Sequence, residues 1–252
     1  IDLAKQVFQL HGVDRFGKVV VRRQLRRAQM DAYFKALPPC LIGMEACASS
    51  HHWARVLTGY GHVVKLMAAQ FVKPYVKSGK NDANDAEGIC EAVGRPTMRF
   101  VQIKSVEQQV VQAEHRIRSR LVRVRTALAN EIRGLLGEFG IVVARGVSQI
   151  RNALPILLEQ KEHPLTQRFA LLLTELSEEL KQIDDRIEVH DKRIRMDSRD
   201  DKRVSRLMEI EGIGPISASA LVAAVGDAKQ FASGRDMAAW IGLVPSQHSS
   251  GG

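Results

Sequence analysis

Cysteine, aromatic residues and long apolar runs are all scarce in this 252-residue sequence. The three cysteines, Cys40, Cys47 and Cys90, are too few and too irregularly spaced for a disulfide framework or a zinc knuckle, which favours a reducing cytoplasm. Apolar stretches stay well short of the ~20 residues that cross a bilayer, and no signal peptide is visible. We therefore expect a cytoplasmic protein with no membrane association.

Acidic residues are outnumbered by basic ones. Lysine and arginine total 37 against 28 aspartates and glutamates, so the formal net charge is +9 and the pI is near 9.7. This balance favours a polyanionic partner, and nucleic acid is the commonest one. The apolar content of 45% is ordinary for a folded protein, and a chain of this length can bury a substantial core.

Residues 1–104 alternate between strand-like and helix-like patterns. Runs rich in β-formers at 7–13 and 18–25 flank Asp14-Arg15-Phe16-Gly17, a turn sequence that predicts a β-hairpin. Further strands are predicted at 41–44 and 62–67, and helices at 27–37, 49–57 and 83–93. Asn81 or Asp82 is expected to cap the last of these helices. Strands that alternate with helices predict an α/β domain with a mixed sheet.

Residues 105–200 have the spacing of long amphipathic helices. One apolar face consists of Val106, Val110, Ala113, Ile117, Leu121, Val124, Leu128 and Leu135. A second helix is predicted over about 165–194, with a seam of Leu172, Leu176, Leu180, Ile183 and Ile187. Pro155 and Pro164 are expected to interrupt the connection. The two helices are predicted to form an antiparallel hairpin or an intermolecular coiled coil, although a bundle core without functional meaning explains the apolar faces equally well.

Arginine is concentrated on the polar face of the first long helix. Between His115 and Arg133 there are six arginines and one glutamate, an excess that a plain bundle core does not explain. Four of these arginines are candidate nucleic-acid contacts: Arg116, Arg120, Arg123 and Arg133.

Residues 201–252 contain a Gly-x-Gly turn between two helical patterns. The sequence Glu211-Gly212-Ile213-Gly214-Pro215 precedes a helix of small residues, as in a helix-hairpin-helix. Backbone N–H groups of such a turn and of the following helix can receive a DNA phosphate. Gly212 and Gly214 are therefore candidate nucleic-acid contacts, and the fold class predicted for the whole chain is α/β plus α.

Four carboxylates stand at positions where a sheet and a helix can bring them together. Asp2 and Glu45 are expected at the ends of strands, while Asp82 and Asp85 share one face of a helix. Hard oxygen ligands select Mg²⁺ or Mn²⁺, and two such ions about 4 Å apart can stabilise the attacking and leaving oxygens of a phosphodiester. Each acid taken alone is equally compatible with a helix cap or a solvated charge.

Several motifs together resemble one known family. IDLAK, GMEACAS, KPYVKSGKNDANDAE, RTALANEIRGLL, EGIGPISASALVAAVGD and AAWIGLVPSQHSSGG occur in the same order as in the DEDD transposases of insertion sequences, the IS110 family, whose members are guided by a bridge RNA. The resemblance implies a ribonuclease-H-like (RuvC-type) domain at 1–104 whose DEDD acids are Asp2, Glu45, Asp82 and Asp85. It further implies a coiled-coil segment at 105–200 and a transposase domain at 201–252.

The same resemblance implies a nucleophilic serine, Ser250, within Ser249-Ser250-Gly251. Attack of this hydroxyl on a phosphodiester would give a covalent phosphoserine link, which suits strand exchange. The sequence departs from the family at Glu211, where proline is usual, and at Ser246, where arginine is usual. Because the sequence opens on Ile1 without methionine and closes on a Ser-Gly stretch, we expect a chain truncated at both ends.

The sequence thus predicts a magnesium-dependent DNA transposase that acts as a homo-oligomer, a dimer or tetramer, with a guide RNA. Lys73, Lys77 and Lys80 precede the aspartate pair and are candidate phosphate contacts, or an ordinary solvated run. His51 and His52 are expected to be packed or solvated rather than metal ligands. The alternatives are a Holliday-junction-type endonuclease without a serine nucleophile, and a non-catalytic nucleic-acid-binding protein whose acids are caps.

Overall fold

The structure is a computed structural model that describes residues 1–77, 79, 81–159 and 165–243. The chain folds into two compact units, which divide it at Ser105/Val106 and at Gly226/Asp227. The first unit combines residues 1–105 with the chain from 227 onward, and the second unit comprises 106–226. Residues 201–252, predicted as one domain, thus contribute to both compact units. The functional division into 1–104, 105–200 and 201–252 stays a prediction.

The first unit contains two three-stranded sheets. The strands found in the described residues are β1 (Asp2–Leu3), β2 (Val7–Val13), β3 (Val19–Arg26), β4 (Leu41–Glu45), β5 (Val63–Met67) and β6 (Phe100–Val101). In the first sheet β1, β2 and β3 are antiparallel neighbours. In the second sheet β4 and β5 are parallel, and β5 pairs with β6 in the antiparallel sense.

Among the described residues, helices alternate with strands from β3 to β6, and the elements after β6 are helical. The helices of the described residues are α1 (Arg27–Ala36), α2 (Ser50–Gly59), α3 (Ala69–Val72), α4 (Asp82–Val93), α5 (Val106–Glu138), α6 (Val147–Glu159), α7 (Gln167–Asp197), α8 (Lys202–Met208), α9 (Pro215–Val225) and α10 (Gly234–Trp240). The first unit holds α1 to α4 and α10, and the second unit holds α5 to α9. The predicted strands and helices of residues 1–104 are confirmed to within a few residues at each end.

The predicted single mixed sheet is wrong in one respect, since the strands form two sheets. The amino group of Ile1 donates a hydrogen bond to the carbonyl of Gly43 in β4, at 2.8 Å, so β1 lies beside β4 as well as β2. Two residues of β1 are too few to continue this pairing into a ladder. Asp2 also lies inside β1 rather than after a strand, and Glu45 is the last residue of β4.

The core of the first unit lies between the first sheet, the second sheet and helices α1 and α2. Phe8 and Met44 are fully buried in it, and Trp53 of α2 packs edge-on against Phe8. Trp240 of α10, in contrast, is half exposed. Burying such aromatic surface is the main stabilising contribution to a unit of this kind.

In the second unit α5 and α7 pack against each other in antiparallel directions. Glu114 and Arg118, in the first half of α5, contact residues 190 and 191 near the end of α7, whereas Arg125, further along α5, contacts residue 184, earlier in α7. The predicted antiparallel hairpin is confirmed; an intermolecular coiled coil stays a prediction.

The predicted apolar faces of these two helices are only partly buried. On α5 Leu121 and Leu128 are buried, but Val106, Val110, Ile117 and Val124 are 39–60% exposed. On α7 the seam consists of Phe169, Leu173, Leu180, Ile183, Ile187 and Ile194, and the predicted Leu172 is exposed. The spacing of apolar residues predicts which of them share a helix face. Whether each one is buried depends on whether a neighbouring helix covers that part of the face.

The expectation that Pro155 interrupts the chain is wrong. Pro155 lies inside α6, whose Ile150 and Leu154 are buried against the other helices of the unit. Proline removes one hydrogen-bond donor from a helix, and packing of the flanking apolar residues offsets this cost. Pro164 lies outside the described residues.

A helix, a turn and a second helix close the second unit, as the Gly-x-Gly pattern predicts. Helix α8 ends at Met208, and α9 begins at Pro215 with Gly214 as its N-cap. Gly212 has a φ of +84°, a left-handed conformation that other residues rarely adopt. Across the described residues, none of the helices combines the length and the apolar character that crossing a bilayer requires.

Candidate functional site

The start of α4 presents Asp82 and Asp85 without using either of them as its cap. The side chain of Asn81 accepts a hydrogen bond from the backbone N–H of Asn84 at 2.8 Å, which makes Asn81 the N-cap. Of the two capping candidates, Asn81 is therefore confirmed. Both aspartates lie in the first turn, where the helix dipole favours negative charge, and their carboxylates remain available for another role.

Two glycines allow close packing around α4. A Cβ atom on Gly43 of β4 would lie 2.7 Å from the Cβ of Val93, so the absence of a side chain lets the end of α4 approach β4. A Cβ on Gly88 would lie 2.9 Å from a methyl of Val76 and 3.3 Å from the backbone of Tyr75. These approaches fix α4 against both β4 and the chain segment that leads into Asp82.

Asp2 lies close to the α4 aspartates. Its carboxyl is half-buried, and α4 packs against both β1 and β2. Burial raises the pKa of Asp2 above its usual value, and the negative charges of Asp82 and Asp85 raise the pKa further. The start of α4 and β1 are therefore neighbours, whereas their assignment as parts of one site stays a prediction.

Glu45 lies at the carboxyl end of β4, which is the edge of a parallel pair where ligand sites commonly form. Glu45 is paired with Met67 in the sheet register and is partly buried. No group of three or more His, Cys, Asp or Glu side chains within the described part of the chain is arranged to hold a metal ion. The acids are therefore neighbours without forming a closed ligand set.

The donor chemistry of this site fits a hard divalent cation. Asp2, Asp82 and Asp85 offer oxygen atoms only, and among the described residues none of the three forms an ion pair with a lysine or arginine. Burial raises the pKa of Asp2 and the charges of Asp82 and Asp85 raise it further, and a bound cation would favour the ionised form of all three carboxylates.

The candidate phosphate-binding lysines differ in their surroundings. Lys73 is exposed in a short 3₁₀ helix at Lys73–Tyr75. Lys77 is exposed too, but its ammonium lies 3.1 Å from Glu91 and 3.8 Å from Glu87 of α4. Glu91 raises the pKa of Lys77 by a hydrogen bond and by its charge. Lys80 lies outside the described residues.

The paired histidines of α2 have packing roles. The Nδ1 atom of His51 accepts a hydrogen bond from the backbone N–H of Lys104 at 3.2 Å. Burial, together with the charges of Lys104 and Arg55, lowers the pKa of His51 to about 4, so this ring is neutral. His52 contacts the ring of Trp53 edge-on. Both contacts agree with the expectation that these histidines are packed or solvated.

His11 of β2 faces α4 from the first sheet, and the sequence alone does not indicate it. Burial lowers the pKa of His11, while Glu87 of α4 acts to raise it and Arg22 of β3 to lower it. His11 and Arg22 are direct partners in the strand register. The sheet face that carries Arg22 is therefore the face on which α4 lies.

The arginines of α5 divide into two groups. Arg118 forms an ion pair with Asp191, and Arg125 lies 3.2 Å from Asp184, which also binds Arg151 at 2.5 Å. These arginines join the helices of the second unit. The remaining candidates are Arg116, Arg120, Arg123 and Arg133.

Three of these four candidates point away from the helix partners. Arg116, Arg120 and Arg123 are exposed and occupy positions four and three residues apart, which places them on one side of α5. Arg133 instead donates hydrogen bonds to the carbonyls of Ala144 and Gly146, so it also holds the loop after α5. The Gly212–Gly214 turn lies between α8 and α9, and Ser250, Ser246 and the other residues from 244 onward lie outside the described residues.

Comparison with known families decides what this architecture belongs to. A family model described as "Transposase", of the DEDD type of IS110, matches residues 1–141, more than half of the chain. A second, described as "Transposase IS116/IS110/IS902 family", matches residues 204–252. The chain belongs to the IS110/IS116/IS902 family of transposases. The predicted family is thereby confirmed.

Curated relatives of this transposase match along its whole length. It is 57% identical to a "Probable family 20 transposase" of Pseudomonas aeruginosa, over all of this chain and 75% of that protein. It is 45% identical to the "Transposase for insertion sequence element IS1111A" of Coxiella burnetii, of which it covers 69%. It is 40% identical to the "Transposase for insertion sequence element IS1328" of Yersinia enterocolitica, of which it covers 75%. The chain thus spans about seven tenths of the length of these relatives.

Proposed function

We propose that this transposase cleaves and exchanges DNA strands in a reaction that depends on a divalent metal ion, Mg²⁺ or Mn²⁺, at a DEDD site. The acids of that site are Asp2, Glu45, Asp82 and Asp85. The observation that carries the proposal is the packing of α4, whose first turn contains Asp82 and Asp85, against β1, which contains Asp2. Membership of a DEDD transposase family supports the same assignment.

The strand arrangement supports a ribonuclease-H-like fold for the first unit. An antiparallel meander, β1 to β3, is followed by α1 and by β4, which lies beside β1. The proposal places Asp2 of β1, Glu45 at the end of β4 and the two aspartates of α4 around one edge of the sheets. Four acids from three elements of a single fold are the donor set that the proposal requires.

A bound divalent ion would supply Lewis-acid stabilisation of the phosphodiester oxygens. The protein's own contribution is to hold the carboxylates in place. Asn81 caps α4 and so leaves the two aspartates uncommitted, Gly43 and Gly88 fix the position of the helix, and β1 holds Asp2 in a half-buried setting. The phosphate of the substrate approaches a site whose acids need a cation between them and the DNA.

The nucleophile of the proposed strand exchange is Ser250. Its Oγ would form a bond to phosphorus while the phosphorus–oxygen bond to the leaving strand breaks, and the serine proton would pass to the departing oxygen through a base or water. The covalent phosphoserine link preserves a phosphoester bond for the later joining step. The proposal rests here on the family resemblance of the Ser249-Ser250-Gly251 motif.

The proposed partners are DNA, a guide (bridge) RNA and further copies of the same chain, as a dimer or tetramer. Three exposed arginines of α5, Arg116, Arg120 and Arg123, and the α8–α9 turn at Gly212 and Gly214 supply candidate phosphate contacts in the second unit. Their positive charge agrees with the chain's net charge of +9.

The proposal is tested by cleavage of labelled donor DNA with Mg²⁺ in the presence of the guide RNA. Asp82→Asn and Asp85→Asn are expected to lower the rate by more than the roughly 10–100-fold that is typical of residues outside the ligand shell. Asp31→Asn, which removes an exposed aspartate paired with Lys35 on α1, serves as the control. If both α4 variants cleave at the rate of the control, the site assignment is wrong.

Ser250→Ala separates the proposed chemistry from simple hydrolysis. It is expected to abolish both strand exchange and covalent trapping of DNA on the protein. Covalent trapping that survives this substitution would exclude Ser250 as the nucleophile.

A further inference from the structure

Strand β3 carries three arginines, and the sheet divides them between its two faces. Leu25 is buried in the core, and the guanidinium of Arg23 lies 5.4 Å from the centre of the Tyr33 ring of α1. This face of β3 therefore packs on α1. Because successive side chains of a strand point to opposite faces, Arg22 and Arg26 lie on the other face.

Asp2 shares its face of the sheet with Arg22 and Arg26. The register pairs Asp2 with Gln9, and Gln9 with Gln24, so these three residues form one line across the sheet. Arg22 and Arg26 flank Gln24 on the same face. Strand spacings of ~4.8 Å and steps of ~7 Å between alternate residues place the Cα of each arginine roughly 12 Å from that of Asp2.

Arg22 and Arg26 lack an ion-pair partner among the described residues, although Arg26 is also the N-cap of α1 and its backbone N–H donates to Oε1 of Gln29 at 2.8 Å. Both are exposed, and neither forms an ion pair there. Their neighbours differ, because Arg23 lies over Tyr33 and Arg27 donates to the carbonyl of Lys5 at 2.9 Å. Of the arginines of β3, Arg23 therefore lies on the α1 side, and Arg22 and Arg26 lie on the side of the carboxylates.

We propose that Arg22 and Arg26 bind the phosphodiester backbone of the DNA strand that enters the carboxylate site. This inference rests on the proposed function, since it requires DNA to be the substrate there. Carboxylates repel a polyanion, and two cations beside them offset the repulsion. Guanidinium groups bind phosphate oxygens in pairs, and such contacts position a strand without reading its sequence.

Charged residues on an edge strand also discourage sheets from pairing edge to edge. That role would be served equally by cations on either face of β3. A phosphate-binding role requires the cations of the carboxylate face alone, so a comparison of the two faces distinguishes the two explanations.

The test measures binding of labelled duplex DNA to the 252-residue chain in EDTA. Fluorescence anisotropy reports the binding over a range of salt concentrations. The double variant Arg22→Gln/Arg26→Gln is expected to bind more weakly and to reduce the slope of log K against log salt by about 2, one for each lost phosphate contact. The matched control, Arg23→Gln/Lys35→Gln, removes the same charge from the α1 side and is expected to leave the slope unchanged.

A third variant, Arg22→Lys/Arg26→Lys, keeps the charge and is expected to keep the slope, which separates lost charge from lost folding. An unchanged slope in Arg22→Gln/Arg26→Gln, or an equal reduction in the control, overturns the proposal. Binding is measured without metal, and cleavage by the unmodified protein is measured separately with Mg²⁺. A failure of the catalytic proposal therefore appears in the second assay and not in the first.

Discussion

Acidic side chains have opposite surroundings at two places in the molecule, the α5–α7 contact of the second unit and the start of α4 in the first. Three acids along the α5–α7 contact have basic partners: Asp191 pairs with Arg118, Asp184 with Arg125 and Arg151, and Glu114 with His190. At the start of α4, burial raises the pKa of Asp2, and the negative charges of Asp82 and Asp85 raise it further. The paired acids of the α5–α7 contact join two helices, whereas repulsion between the acids at the start of α4 lowers the stability of the folded state.

The difference separates structural from functional use of the same residue type. Ion pairs at a helix contact satisfy both charges, and removal of one member leaves the other unsatisfied. A cluster of like charges destabilises the fold that contains it and persists where a ligand compensates it. We therefore expect opposite signs of stability change when acids are replaced at the α5–α7 contact and at the start of α4.

The largest expected effect on stability is in the second unit. Asp184→Ala removes the acid that binds two arginines and leaves the partly buried Arg125 without its partner, so we expect a loss of about 3 kcal/mol in the free energy of unfolding. Urea denaturation followed by circular dichroism measures it. Glu188→Ala, which removes an exposed acid paired only with Lys192, is the control and is expected to change little. Equal effects of the two substitutions would remove the contrast between paired and unpaired acids.

The second prediction concerns how the first unit positions its acids. Gly43→Ala places a Cβ 2.7 Å from the Cβ of Val93 and is expected to cost about 2 kcal/mol and to lower cleavage activity, because α4 is displaced from β4. Gly94→Ala meets only one atom, at 4.0 Å, and is expected to be nearly neutral. Thermal unfolding and cleavage rates of both variants decide this; full activity in Gly43→Ala would contradict the positioning role.

The third prediction separates the cap from the acids. Asn81→Ala removes the side chain that accepts the hydrogen bond from the N–H of Asn84 and is expected to cost about 1 kcal/mol. The urea midpoint measures the change. Should Asn81→Ala leave the midpoint unaltered, the cap would have to come from another side chain, and Asp82 would be the first candidate.

The smallest expected effect has the opposite sign. Asp85→Asn relieves repulsion with Asp2 but also removes a negative charge that the helix dipole favours, so we expect a net rise in the free energy of unfolding in EDTA of only about 0.3 kcal/mol. Precise thermal unfolding without metal measures it. A clear loss of stability would show that Asp85 is structural, like Asp184.

Much of the first unit is predictable from local sequence. The hairpin of β2 and β3 follows from Asp14-Arg15-Phe16-Gly17, and the cap of α4 follows from the preference of asparagine for that position. Helix α6 is not predictable in the same way, because Pro155 suggests a break and only burial of Ile150 and Leu154 outweighs it. Patterns of neighbouring residues predict turns and helix caps, because these features depend on neighbouring residues.

The candidate site is predictable as a set of residues but not as an arrangement. Chain order and family motifs single out the four acids, whereas the closeness of Asp2 to α4 depends on strand register and on contacts between distant segments. The ion pairs of Arg118 and Arg125 with aspartates of α7 likewise cannot be predicted from the arginine-rich pattern, because they depend on which residues of α7 face the two arginines. Arg22 and Arg26 are indicated only once the two faces of β3 are known.

The most direct test of the central claim is the effect of Mn²⁺ on thermal unfolding of the unmodified protein and of the double variant Asp82→Asn/Asp85→Asn. A ligand that binds only the folded state stabilises it by about 2.7 kcal/mol at a concentration 100 times its Kd. If these carboxylates bind the metal, we expect Mn²⁺ to raise the Tm of the unmodified protein and to leave the Tm of the double variant unchanged. An equal rise in both proteins, or none in either, would contradict the assignment of these carboxylates as a metal site.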